Sequence, residues 1–185
     1  MRLMLAFQAG NAAAFDRLVE RNVKTVHALV YRFLREASML DDITQEVFLR
    51  VYRYAPRYQP SAKFSTWLYR ITANLCFNVM RSRKKRRAAS LDAMGDDDNH
   101  REVPDPSQPS PQADLDAEER RRLAVEAVNR LPENQRLAIV LNKFHDLSYE
   151  DIAETMETTT MAVKSLLSRA RANLRDDLQR QLKTD

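Results

Sequence analysis

The sequence predicts an all-α protein of two small helical domains joined by a flexible acidic linker. Three observations predict it. Glycine is scarce, with 2 in 185 residues, and sheets with tight hairpins ordinarily draw on more turn glycine. Apolar residues recur at helical spacing in both halves of the chain. Between the halves, residues 89–114 carry Pro104, Pro106, Pro109, Pro111 and the run Asp96-Asp97-Asp98. Such a stretch buries too little apolar surface to offset its ordering entropy. The expected organisation is therefore a domain over 1–88, a linker over 89–114 and a second domain over 115–185.

In the first domain Phe15, Leu18, Val19, Val26, Val30 and Phe33 mark one long helix. Ser38 is expected to open a second, with Asp41 three residues on as a capping box. Leu40, Ile43, Val47 and Val51 form its apolar stripe. Pro56 and Pro60 impose a loop over 54–61. A third helix starts near Ser65, sets Leu68, Ile71, Leu75 and Val79 on one face, and runs into Arg81-Ser82-Arg83-Lys84-Lys85-Arg86-Arg87.

Four helices are expected in the second domain. The first runs from about Leu115 to Arg130, and the next begins at Pro132, which suits a first helical turn. Ser148, with Asp151 three residues later, caps a short third helix carrying Ile152, Ala153 and Met156. The turn Glu157-Thr158-Thr159 leads into a last helix from Thr160 to about Leu182. No repeat of solenoid period is present.

The formal net charge of +4 conceals an asymmetry. Residues 1–88 hold 17 Lys/Arg against 6 Asp/Glu, residues 89–114 hold 1 against 7, and residues 115–185 hold 12 against 13. A basic first domain points to a polyanionic partner. A single cysteine, Cys76, excludes an intramolecular disulfide framework and fits a reducing cytoplasm. The three histidines, His27, His100 and His145, are far apart, so no metal site is expected. Apolar runs fall well short of the roughly 20 residues of a membrane span, and no signal peptide is visible, so no membrane insertion is expected. Without a glycine-rich phosphate loop or a nucleophile–base pair, neither catalysis, a cofactor nor a small-molecule substrate is expected.

Three constellations remain. The helices at 148–156 and 160–175 have the dimensions of a helix-turn-helix, whose second helix presents residues near its N-terminus to base edges. Thr160, Met161, Lys164, Ser165 and Ser168 suit that task, and Arg169 and Arg171 suit phosphates. Spacing alone also permits an ordinary helical hairpin with solvated arginines. The basic run at 81–87 extends a helix bearing Trp67, Tyr69 and Phe77, a mixture that suits single-stranded nucleic acid. Trp67 can equally be a core residue. Lastly, Asp41, Asp42, Gln45, Glu46 and Arg50 form a polar, mostly acidic patch, with positions 42, 45, 46 and 49 on adjacent turns where they can share one face. An acidic face is unsuited to DNA and is either inert or meets a basic protein.

These residues also carry a resemblance. The string Asp41-Asp42-Ile43-Thr44-Gln45-Glu46-Val47-Phe48-Leu49-Arg50-Val51-Tyr52 resembles region 2.2 of extracytoplasmic-function (ECF) sigma factors of bacterial RNA polymerase. Phe64-Ser65-Thr66-Trp67-Leu68-Tyr69-Arg70-Ile71, Asn74 and the basic run resemble regions 2.3 and 2.4. Leu131-Pro132-Glu133 with Gln135-Arg136 resembles the start of region 4. Glu150-Asp151-Ile152-Ala153, Val163-Lys164-Ser165, Arg169-Ala170-Arg171 and Leu174-Arg175 resemble region 4.2. The resemblance covers nearly the whole chain outside the linker, and the order of the motifs makes it specific.

It implies a cytoplasmic specificity subunit that binds core RNA polymerase and directs promoter-specific initiation. Asp41, Asp42, Gln45, Glu46, Phe48 and Arg50 would meet the β′ clamp helices. Tyr58, Lys63, Phe64, Ser65, Trp67, Arg70, Asn74, Asn78, Arg81, Arg83 and Lys84 would engage the −10 promoter element. Thr159, Thr160, Met161, Lys164, Ser165, Ser168, Arg169 and Arg171 would engage the −35 element, with the preceding region touching the β flap. The linker would thread toward the polymerase active cleft and RNA exit path, its acid imitating nucleic acid. An anti-sigma factor is expected as a further partner. The competing reading is a helix-turn-helix regulator that binds operator DNA without polymerase; it leaves the acidic face without a purpose.

The sequence departs from the family pattern in places. The match starts abruptly at Met1, and no C-terminal sensor extension is expected. Glu157 stands at the turn position usually held by Gly, where a left-handed backbone costs a side chain about 1–2 kcal/mol, so a differently shaped turn is expected. Ala162 and Leu166 replace the common Thr and a common basic residue.

Overall fold

The structure, a computed structural model, describes residues 1–60, 63–91 and 115–181. The regular elements of these segments are all helical. They are α1 (Arg2–Gln8), α2 (Ala12–Leu34), α3 (Leu40–Tyr54), a 3₁₀ turn over Ala55–Arg57, α4 (Phe64–Leu91), α5 (Leu115–Arg130), α6 (Glu133–Phe144), α7 (Tyr149–Thr155) and α8 (Thr160–Gln181). The chain divides into two units, the first carrying α1–α4 and the second α5, α6, α8 and most of α7. From residue 92 on, the expected linker lies outside the described residues. Its first three residues belong instead to α4, which continues to Leu91.

In the first unit α2 begins where Asn11 accepts a hydrogen bond from the Ala14 N–H at 3.3 Å through Oδ1, satisfying one of the free donors of the first turn. It ends where Arg35 turns left-handed (φ 55°) and returns its N–H to the Tyr31 carbonyl. Leu18, Val26, Leu29, Val30 and Phe33 line its buried side. Ile43, Val47, Phe48 and Val51 of α3 and Leu68, Ile71, Leu75 and Cys76 of α4 close the core. Helices α2, α3 and α4 pack pairwise, and α1 packs on α2 through fully buried Met4. Each such side chain contributes roughly 1.5–3 kcal/mol by leaving water. Burial also pushes the Cys76 thiol up to about 12, so it is an inert core residue.

Two details differ from expectation. The first unit has a helix, α1, that the apolar periodicity did not mark. Ser38 does not cap α3, whose N-cap is Met39 without a side-chain bond. The Ser38 hydroxyl donates instead to Glu36 Oε1 at 2.8 Å. It sits one residue too early for the helix, and Asp41 and Asp42 in the first turn supply the negative charge that the helix N-terminus favours.

In the second unit α8 packs on α5 and α6. Leu137, Val140 and Leu141 of α6, Ile152 of α7 and Val163, Leu167 and Ala170 of α8 form its core. Pro132 is the N-cap of α6, so the helix begins at Glu133, one residue after the expected start. Ser148 caps α7 as expected, its Oγ accepting the Asp151 N–H at 3.1 Å. Arg130 Nε donates to Asp177 Oδ2 at 2.9 Å and ties the end of α5 to α8.

Candidate nucleic-acid interface

The geometry of α7 and α8 follows from two caps and one strained turn. Thr159 Oγ1 accepts the Ala162 N–H at 3.1 Å, which fixes the first turn of α8. Glu157 takes φ 52°, so the turn keeps the left-handed backbone that glycine would adopt freely. The expected change of turn shape does not occur, and Glu157 bears the strain. With Val163, Leu167 and Ala170 buried, helical spacing turns positions 161, 164, 165 and 168 outward. Met161, Lys164, Ser165, Ser168, Arg169 and Arg171 are all exposed, as is Thr159, and Thr160 is half-buried.

The two arginines are already oriented. Arg169 donates to Ser165 Oγ at 2.9 Å through Nη2. Arg171 Nη2 reaches the Tyr149 hydroxyl at 3.4 Å, and this hydrogen bond holds the Tyr149 phenol below its ordinary pKa. Nothing in the sequence marks Tyr149, since only the fold brings it to Arg171. Behind the face, Asn173 Nδ2 donates to Gln135 Oε1 at 2.8 Å and links α8 to α6.

On α4, burial of Phe64, Leu68, Ile71 and Leu75 turns a second row outward. Trp67, Arg70, Asn74, Asn78, Arg81 and Lys85 follow one another at intervals of three or four residues and so share a stripe. Asn74, Asn78, Arg81, Lys84, Lys85 and Arg86 are exposed, as are Lys63 and Ser65, while Trp67 and Arg70 are half-buried.

Three expected DNA contacts are placed differently. Tyr58 and Phe64 are buried, at 7% and 9% exposure. They form a cluster with Trp67, the Tyr58 and Trp67 rings lying 4.9 Å apart and those of Phe64 and Trp67 5.8 Å apart. Large rings gain more by packing than by standing in water, and burial raises the Tyr58 phenol pKa. Arg83 is turned back to the α2–α3 connection, where it pairs with Glu36 and lies 3.0 Å from Met39 Sδ. Tyr58 and Phe64 thus support the surface from beneath, whereas Arg83 stays half-buried at its edge with Glu36 as partner.

The loop before α4 has a further support that the sequence did not reveal. Gln8 Nε2 donates to the carbonyls of Ala55 and Tyr58 at 2.7 and 2.9 Å. The two partners lie 47 and 50 residues away, so no local pattern announces the bond.

The acidic face of α3 forms as expected, with Asp41, Asp42 and Gln45 exposed and Glu46 and Arg50 half-buried. Arg50 Nε donates to Glu46 Oε1 at 2.8 Å and holds the Glu46 carboxyl below its usual pKa. His27 Nε2 lies 3.6 Å from Asp41 Oδ1. Phe48 is corrected: at 6% exposure it belongs to the core. Leu49 and Tyr52, exposed at 42% and 54%, extend the face instead, at the spacing set by Asp42 and Gln45. The Tyr52 ring meets Phe7 at a tilt and Phe15 edge-to-face, each centroid 5.2 Å away. Among the described residues no cluster of side chains suited to a metal ion occurs, and no helix is long and apolar enough to cross a membrane.

One unit thus presents an acidic patch beside a basic, aromatic-backed stripe, and the other a helix-turn-helix, an arrangement that fits an RNA polymerase sigma subunit. The chain matches sigma-70 region 2 over residues 18–86 and sigma-70 region 4 over residues 121–174. It is 31% identical over 174 residues to the ECF RNA polymerase sigma-E factor of Haemophilus influenzae, covering 93% of this chain and 91% of that one. It is 32% identical over 180 residues to the RNA polymerase sigma-H factor of Pseudomonas aeruginosa, covering 96% and 93%. The chain belongs to the ECF sigma factors, and its function is to direct RNA polymerase to promoters.

The fold agrees with solved structures. CnrH in complex with the cytosolic domain of CnrY superposes with a TM-score of 0.69 at 24% identity, over 96% of this chain and 95% of that one. The sigma factor RpoE of Bartonella quintana in complex with the anti-sigma factor NepR gives 0.70 at 22% identity, over 89% and 96%.

Proposed function

We propose that the two units divide promoter recognition between them and that the acidic face of α3 holds the protein on polymerase. The observation that carries this reading is the exposure of Asp41, Asp42 and Gln45 on a domain that is otherwise strongly basic. Acid repels DNA and fits a basic protein surface, which in this family is the β′ clamp helices. Leu49 and Tyr52 add apolar area to that contact, and Phe48 supports it from within.

The stripe from Trp67 through Arg81, with Lys63 and Lys84, contacts the −10 element. Trp67 offers the partly open ring of an aromatic cluster for stacking, and the exposed cations follow the phosphates of the separated strand. The outward row of α8, with Thr159 and Thr160 at its start, reads the −35 element in the major groove while Arg169 and Arg171 bind phosphate. The start of the second unit meets the β flap. Joined in one chain, the two weak DNA contacts act at high effective concentration once the protein sits on polymerase. Covalent chemistry belongs to polymerase throughout.

An anti-sigma factor is the second protein partner, by likeness to the RpoE–NepR pair, and the site of action is the cytoplasm, where polymerase works. The domain bounds 1–88 and 115–185 accord with this division. The test is transcription by sigma-free bacterial core polymerase on a pool of promoter fragments, with the protein and with its Asp42→Arg variant. Promoter-specific transcripts that require the protein and disappear with the variant are the expected result. Tight symmetric binding to duplex DNA without polymerase, and no stimulation of transcription, would establish the independent operator-binding regulator instead.

A further inference from the structure

Met161 is the most exposed of the protein's large apolar side chains among the described residues, at 79%. It occupies the second position of α8, beside a first turn pinned by the Thr159 cap. The outward row of that helix continues with Lys164, Ser165 and Ser168, all exposed and all polar. Met161 is therefore the apolar head of an otherwise polar reading face.

A duplex major groove offers that face donors and acceptors from every base pair but only one apolar group, the C5-methyl of thymine. Lysine and serine serve the polar edge atoms and gain nothing from a methyl. A thioether chain does, since it is flexible, polarizable and loses its own contact with water in the same step. Its position suits the task, because the first residues of a recognition helix reach deepest into the groove. The side chain makes no packed contribution to the core that would explain it otherwise.

We propose that Met161 is a specificity-determining residue that reads the C5-methyl of a thymine in the −35 element. This rests on the assignment of α8 to that element and names the base feature it selects. It follows that preference at one position of the element is apolar and insensitive to salt, whereas the contacts of Lys164, Arg169 and Arg171 weaken as salt rises.

The experiment uses holoenzyme assembled from the full chain and core polymerase, on a promoter selected from a random pool. Each thymine of the −35 element is replaced in turn by deoxyuridine, which deletes the methyl and keeps every hydrogen-bonding group. Wild-type holoenzyme should lose about four-fold in promoter affinity at one position, the value of about 0.8 kcal/mol for one buried methyl-sized group. Met161→Ala should be indifferent to deoxyuridine at that position, and Met161→Leu should retain most of the discrimination. As an exposed residue, Met161 tolerates both changes without loss of folding.

Equal sensitivity of wild type and Met161→Ala at every position would assign the methyl to another side chain and overturn the inference. Wild-type indifference at every thymine would overturn it as well. A Lys164→Ala/Ser165→Ala/Ser168→Ala variant separates this from the reading beneath it. If that variant initiates like wild type on the same promoter, the assignment of α8 to the −35 element fails; if it is impaired while deoxyuridine has no effect, only the role of Met161 fails.

Discussion

On α8 the residues expected to meet DNA stand clear of the core, from Met161 to Arg171, whereas along α4 and its preceding loop Tyr58, Phe64 and Arg83 are drawn into the structure. On the proposed division of labour, the difference follows from what each surface would engage. A helix in the major groove reads edges that an intact duplex already displays, so its side chains need only project. A surface for separated bases must offer a rigid aromatic platform, and rigidity comes from packing. In the first unit Trp67 is both half-open surface and part of a ring cluster with Tyr58 and Phe64. Function and stability are therefore entangled in one unit and separable in the other.

That contrast can be broken in order of severity. Asp42→Arg lies on neither DNA-facing surface, yet it should lower transcription by more than ten-fold on every promoter, measured as run-off transcript with core polymerase. Lys164→Ala with Ser165→Ala should cost about ten-fold, and only on promoters that need their −35 element, consistent with roughly 1–3 kcal/mol per specific base contact. Trp67→Ala should destabilise the first unit by about 3 kcal/mol in urea unfolding, as aromatic truncations in packed sites do. Met161→Ala should stay within about 0.5 kcal/mol in the same measurement. Equal stability losses at the two positions would erase the distinction between the units.

Smaller effects sharpen it. Arg81→Ala and Lys84→Ala should each flatten the salt dependence of open-complex formation by about one unit of slope, as loss of a phosphate contact does. Arg83→Ala should flatten it less, because Arg83 is engaged by Glu36. A partly exposed ion pair of that kind contributes about 1 kcal/mol or less to stability. Glu157→Gly should raise the melting temperature slightly, relieving a strain of about 1 kcal/mol at φ 52°.

Much of this was legible in the sequence because helices repeat. The buried rows of α2, α3 and α4 follow from apolar spacing, and the Ser148 cap follows from residue type. What escaped has specific causes. Helix α1 spans seven residues and buries only Met4, too few for a periodic signal. The cap at Ser38 failed because the helix begins one residue later than residue type suggests, and the Ser38 hydroxyl donates to Glu36 instead. Phe48 lies at the spacing of the buried residues Thr44 and Val51, so its burial was readable from periodicity, and family resemblance alone pointed it outward. Tyr58 and Arg83 were misplaced for a different reason. Their partners, Trp67 in one case and Glu36 in the other, are set by tertiary packing, which residue type does not encode.

The bond from Gln8 to the loop before α4 has a wider consequence. Gln8 grips the carbonyls of Ala55 and Tyr58, and carbonyls are offered by every amino acid. The anchor is thus blind to which side chains the loop carries. On the proposed −10 role of this loop, its exposed residues can be exchanged through descent, and promoter preference with them, while the backbone at Ala55 and Tyr58 stays held by a helix elsewhere in the chain. A sigma factor built this way can acquire a new regulon without first reinventing its scaffold.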